Sequence, residues 1–355
     1  MQGGSCKLNP PEKLCAAKSR LEPVLPYGQL TTAVACYPEK VQIMPPLILA
    51  GLLFTLLLPL QSIRADSTAS VSQYGAYNTS SVSQQASTQS HIETTQTGDD
   101  EGGAYNTALA SQQASENSSI RTYTEGEHNL ATANQQQVDS TQAEILQTTQ
   151  SEANLAQIEQ VDLLNGEANI RQHDSGENTA IIQQSNSQNV TALTIQDHSY
   201  LSEARITQAA SSASAAQIHQ SNTSDSQASI MQTFSPHSEA LIFQQEAPLS
   251  RANIEQLNAN ESRANIEQKN SHAVPDQASI QQQDGNNLQA EVWQDGPDND
   301  ATIEQTNHTN QATILQQSPA SSAAGNSALI IQSSGGNAGN IIQYGTNNNA
   351  SIHQF

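Results

Sequence analysis

The stretch RANIEQLNANESRANIEQ, residues 251–268, sets Ala252, Ile254 and Gln256 two positions apart and repeats the set twelve residues later as Ala264, Ile266 and Gln268. Side chains at i, i+2 and i+4 share one face of a strand, whereas on a helix they would spread over about 200°. The unit is therefore a short strand. Its intervening residues, such as Asn253 and Glu255, are polar, so the alternation predicts one dry face and one wet face.

Outward from this stretch, the twelve-residue step runs back through Ala240, Ala228 and Ala216 to Ala204. Earlier copies are Ala69-Val71-Gln73, Ala143-Ile145-Gln147, Ala153-Leu155-Gln157, Ala168-Ile170-Gln172 and Ala180-Ile182-Gln184. Later ones begin at Ala278, Ala290 and Ala328, with Gly339-Ile341-Gln343 as a variant. The sets Ala301-Ile303-Gln305, Ala312-Ile314-Gln316 and Ala350-Ile352-Gln354 complete the series. Insertions fall between copies, and their unequal lengths would make a helical stripe precess around its axis, which disfavours a coiled coil. The spacers are turn-forming: Asp284-Gly285-Asn286-Asn287, Asp295-Gly296-Pro297-Asp298 and Gly345-Thr346-Asn347-Asn348.

A strand and a turn every twelve residues predict an all-β fold, a β-solenoid of strand-arc-strand coils with 22–24 residues per coil. Coils would stack at the ~4.8 Å strand spacing with amyloid-like ladders of identical side chains. Ala and Ile would fill the core, Gln would hydrogen-bond to the Gln above and below, and Gly296, Asn299, Gly345 and Asn348 would supply left-handed backbone in the arcs. One Ile cannot offset the entropy of ordering a whole unit, so stability should come from stacking. The last copy reaches the penultimate residue, and the expectation is an open strand edge there, which is a polymerisation surface.

Composition supports this pattern. Of 355 residues, only 35% are hydrophobic and 4% aromatic, too few for a conventional globular core of this length. Residues 47–60 (LILAGLLFTLLLPL) are too short for a comfortable membrane span and read as a signal peptide over 44–65, with cleavage after Ala65. Residues 1–43 share no pattern with the remainder and read as an extended leader or a mis-assigned start. The repeats divide into a divergent part, 66–142, and a regular part, 143–355. Cys6, Cys15 and Cys36 all precede the cleavage position, so no disulfide framework or thiolate metal site is expected after it. Beyond Ala65 six cations face 31 acids, a net −25, which excludes nucleic acid as a natural partner.

The residues also resemble the curlin family, whose repeats read approximately Gln-x-Gly-x-x-Asn-x-Ala-x-Ile-x-Gln. Two windows match at every fixed position: Gln294, Gly296, Asn299, Ala301, Ile303, Gln305, and Gln343, Gly345, Asn348, Ala350, Ile352, Gln354. A third, Gln73, Gly75, Asn78, Ser80, Val82, Gln84, differs conservatively at two. The resemblance implies a secreted subunit, passed through an outer-membrane curli secretion pore and polymerised on the bacterial surface into adhesive amyloid fibres of biofilm. It implies as partners other copies of the chain and a second curlin subunit. The Ala-x-Ile-x-Gln style is similar to the minor, nucleating curlin, with the major subunit also open.

Between 88 and 142 the pattern weakens. Ala108-Ala110-Gln112 and Ala131-Ala133-Gln135 lose Ile, and the acidic, glycine-rich segment 98–103 suggests weaker rungs and a hinge. Nine scattered histidines form no ligand pair in sequence, and no nucleophile elbow or phosphate loop occurs. No cofactor, metal site or catalytic residue is expected, and the chain does not read as an enzyme. The alternative function is a monomeric secreted β-solenoid that binds carbohydrate or a surface, although that role favours a uniform outward array and the outward residues here are mixed.

Overall fold

The computed structural model describes residues 67–98, 105–148, 151–270, 274–319 and 324–355, together with the backbone of 30–35. The three cysteines, the apolar run 47–60, the cleavage position after Ala65 and the acidic residues 99–103 lie outside the described residues.

Twenty-five strands succeed one another from β1 (Leu30–Ala35) and β2 (Thr68–Tyr74) to β24 (Ala338–Tyr344) and β25 (Asn349–Gln354), with no helix among the described residues. Even-numbered strands stack into one sheet and odd-numbered strands, from β3 (Thr79–Gln85) onward, into a second. Each coil thus places one strand in each sheet, and the chain is an all-β solenoid of stacked coils.

From β2 onward every rung-to-rung pairing is parallel, and in the regular part the register puts like on like: Ile254 opposes Ile280, then Ile303, Ile330 and Ile352. Partners lie 24 residues apart through the middle, as in Glu203 with Gln227. The spacing falls to 22 between Gln289 and Gln311 and rises to 28 between His91 and Ser119. Coils therefore exceed the expected 22–24 residues where an insertion enlarges an arc and leaves the strands untouched. β1 is the exception: it pairs antiparallel with β2, Leu30 opposite Gln73 and Ala35 opposite Thr68. Residues 30–35, which share no repeat with the rest, nevertheless cover one edge of the even sheet, because an open edge accepts any extended segment.

Inward Ala and Ile of both sheets form one continuous core from Val71 to Ile341, with Ala69, Ala350 and Ile352 partly buried at its ends. Ile254, Ile266, Ile303 and Ile314 are fully buried, between outward neighbours that are not. Alternation along the strand survives in three dimensions because a period of two is the strand's own.

The structure corrects one copy. Ala153 is exposed, with a left-handed backbone (φ 54°), and the rung is made by Ala156, Ile158 and Gln160 of β9 (Leu155–Leu164). Two overlapping frames fit the local sequence, and pairing decides between them: Ala156 lies between Ala131 and Ala180. A strand shifted out of that frame would turn its core face to solvent.

The divergent region forms complete rungs. Ile92 and Ile120 take the position usually held by Ala, followed inward by Thr94 and Thr122. Larger and smaller residues have exchanged places along one strand, which conceals the motif. The cost is local, since the buried hydroxyls of Thr94, Thr122 and Thr124 have no hydrogen-bond partner.

Candidate functional site: the ladders and the strand edges

Each inward Gln lies two residues after the central inward residue of its strand, usually Ile, and therefore points into the coil beside an arc. In the even sheet Gln268 donates from Nε2 to Oε1 of Gln294 (2.9 Å), Gln294 to Gln316 (3.0 Å) and Gln316 to Gln343 (2.9 Å). In the odd sheet the series runs Gln256, Gln282, Gln305, Gln332, Gln354 at 2.8–3.0 Å. The same amide nitrogen also reaches across the coil: Gln294 donates to the carbonyl of Gln277 and Gln305 to that of Gln289, both at 2.9 Å. Gln thus ties rung to rung and sheet to sheet. Asn is too short for both tasks, and Glu would supply no donor.

A second ladder runs through parts of the arcs, two residues before the core Ala of those rungs. The Oδ1 atoms of Asn106, Asn129 and Asn154 accept the backbone N–H of Asn129, Asn154 and Asn178 at 2.9–3.1 Å. Farther along, Oδ1 of Asn299 accepts the N–H of Asn326, and Oδ1 of Asn326 that of Asn348, both at 3.2 Å. Buried backbone donors must find acceptors, and these side chains supply them. Asn299 and Asn348 therefore have a different task from the left-handed one expected. The positive φ falls on the preceding Asp298 (61°) and Asn347 (58°), and on Gly296 (93°) and Gly345 (94°).

One member of this ladder is an acid. Asp276 is fully buried, accepts the N–H of Asn299 on Oδ1 (2.8 Å) and has no hydrogen-bond partner for Oδ2. Burial pushes its carboxyl up to about 8, against the opposing pull of its hydrogen bond from Asn299. Sequence reading passed over it because Asp is an ordinary spacer residue.

The other expected positions are placed as follows. Ala252, Ala264, Ala301 and Ala312 are buried with the Ile and Gln of their copies, while Ala350, Ile352 and Gln354 are half-buried on the terminal rung. Stacking also brings together residues distant in sequence. His173 and His198 meet edge to face at 6.0 Å on successive coils, and Oδ2 of Asp174 lies 3.6 Å and 3.4 Å from their Nε2 atoms. Among the described residues no group of three or more such side chains is arranged to hold a metal ion.

Edge strands in the described structure are β1 and β24 of the even sheet and β3 and β25 of the odd sheet. At β24 and β25 the backbone and the Gln row face outward from the stack with the same spacing that every interior rung offers its neighbour. These features define a class: a parallel β-solenoid with interchangeable rungs. Within it, residues 277–306, from β19 (Gln277–Asn286) to β21 (Asp300–Thr306), match the family model of the curlin associated repeat. That match supports the resemblance to the curlin family read from the fixed Gln, Gly, Asn, Ala, Ile and Gln positions. No curated protein matches the chain.

Proposed function

We propose that this chain is a structural subunit of extracellular curli-like amyloid fibres and grows by docking the terminal rung of one copy onto that of another. The carrying observation is the in-register stack: the row at the terminal rung, Ala350, Ile352 and Gln354, is the row that Ala328, Ile330 and Gln332 already bind one coil earlier. A new copy can continue the Gln ladder and the core without a new kind of contact. Signal-peptide cleavage after Ala65 would remove β1 and open the edge of β2, so both ends would become competent outside the cell. A secretion pore and a second curlin subunit are the partners this role requires, and adhesion in a biofilm matrix is its setting.

The test is assembly of the purified chain, followed by thioflavin fluorescence and fibre diffraction, alongside Ile303→Asp and Thr302→Asp. Wild type should give fibres with a reflection near ~4.8 Å. Ile303→Asp should abolish or greatly slow growth, because it places a charge in the dry core. Thr302→Asp, on the outer face, should assemble at nearly the wild-type rate. Persistent monomer, or equal effects of the two substitutions, would overturn the proposal.

A further inference from the structure

The two outer faces of the solenoid are unlike. In the odd sheet the outward residue between Ile and Gln is mostly polar, for instance Glu255, Gln281 and Glu304. In the even sheet the equivalent row is largely apolar. Stacking aligns Leu146, Arg171, Ile195 and His219 on successive rungs, and then Phe243, Glu267, Trp293 and Leu315. The row's two charges are of opposite sign and lie two rungs to either side of His219.

We propose that two copies of the chain pair face to face through the even sheets, about a two-fold axis running along β14 (Ala215–Ser221). Such an axis reverses the solenoid direction, keeps the strand direction and sets each row against itself, an isologous contact. Arg171 of each copy then faces Glu267 of the other. Ile195 meets Phe243, and Leu146 meets Trp293. The outward row before Ile follows the same symmetry, with Leu193 against Leu241, and the row at the strand start sets Glu167 against Arg263.

Charge selects this axis over the obvious competitor. A two-fold along the solenoid would also bring the sheets together, but it would set Arg171 against Arg171 and Glu267 against Glu267. The chosen axis leaves one like-charge meeting, Glu144 with Glu291; Glu144 already has Arg121 as an ion-pair partner at 3.3 Å, as Glu267 has Lys269 and Arg263 has Glu239 within the same copy, so the cross-copy pairs extend existing ones. His219, on the axis, packs edge-on against Phe243 at 5.1 Å. Burial holds its imidazole towards the neutral form, against a weaker opposing pull from Asp197, so its own copy can face it without repulsion. The nine even strands centred on β14 span about 38 Å by 23 Å at ordinary strand dimensions. That is roughly 900 Å², close to the ~800 Å² per partner of a stable interface.

This face is distinct from the strand edges that would carry fibre growth, so the two proposals fail separately. The experiment uses the full chain with Cys6→Ser, Cys15→Ser and Cys36→Ser, adding His219→Cys, Arg171→Cys or Met231→Cys singly. After reaction with a short bismaleimide, which can span facing sheets packed ~10 Å apart, and dissolution in formic acid, thioether dimers are measured on denaturing gels, while fibre growth is followed separately. His219→Cys should cross-link to completion; Arg171→Cys and Met231→Cys, the latter on the odd sheet, should stay at background. Adding Arg171→Glu to His219→Cys should slow cross-linking about five- to tenfold, and adding Glu267→Arg as well should restore it, because complementarity returns. Cross-linking of His219→Cys no faster than Met231→Cys, or of Arg171→Cys as fast as His219→Cys, would overturn the pairing, whether or not fibres form.

Discussion

Along the arc ladder, Ser250 precedes Asp276 and Asn299 follows it, and only the middle side chain can carry a charge. The buried carboxyl holds its proton to about pH 8, whereas the usual value is 3.8. Below about pH 3 both the folded and the unfolded chain carry that proton, and Asp276 makes no difference to stability. As pH rises towards 8 the unfolded chain releases the proton and the folded chain keeps it, so stability falls, levelling off above 8. Asn keeps the acceptor for the N–H of Asn299 and removes the charge. Asp276→Asn should therefore leave the denaturant midpoint unchanged at pH 3 and raise it at pH 8. At about 1.4 kcal/mol per pK unit, the gain is on the order of a few kcal/mol. Parallel urea titrations of both chains at the two pH values check this, and an equal shift at both would rule it out.

At the scale of the element, the arcs set what a coil tolerates. Gly296 has φ +93°, and a Cβ there would lie 2.0 Å from the backbone carbonyl oxygen of Ser318 on the next coil. Gly336 has φ +79° but nothing within 4 Å. Gly296→Ala should therefore cost on the order of 2–4 kcal/mol, combining backbone strain with a clash that forces two coils apart, whereas Gly336→Ala should cost only the strain, about 1 kcal/mol. Denaturant midpoints of the two variants separate these terms, and equal losses would show that coil contact at Gly296 is not limiting.

The same distinction explains what the sequence disclosed. Strand faces were legible because Ala, Ile and Gln recur at a period of two, and the glycines at 296 and 345 because a tight arc favours them. The frame at Ala156 was not, since two offsets satisfy the local pattern and only the neighbouring coils choose between them. Nor was the second task of Asn299: composition marks Asn as a turn residue, but its hydrogen bond reaches a residue 27 positions away. The Ile92 and Ile120 rungs were hidden by an exchange of large and small side chains within one strand. Contacts that depend on coil length, such as His173 with His198, emerge only once the stack is built.

For the whole molecule, stacking aligns charges as faithfully as it aligns the core. In the arcs Glu116 bridges to Asp139 and Glu127 to Glu152 on adjacent coils, so acids stand one rung apart. Beyond Ala65 the chain carries 31 acids against six cations. Under the proposed growth, each arriving copy would bring a strongly negative body to a strongly negative stack, and this repulsion would oppose the attraction of the terminal ladder. Repulsion at that range is screened by salt, whose Debye length shrinks from about 30 Å at 0.01 M to about 8 Å at 0.15 M. The burial of Ile and the Gln hydrogen bonds depend far less on ionic strength. Raising sodium chloride across that interval at pH 7.5 should shorten the half-time of seeded growth several-fold and leave the strand spacing of the fibres unchanged. Thioflavin kinetics at fixed seed mass measure the rate, and fibre diffraction measures the spacing. A rate independent of salt would mean that docking of the terminal rung, not electrostatic approach, limits growth.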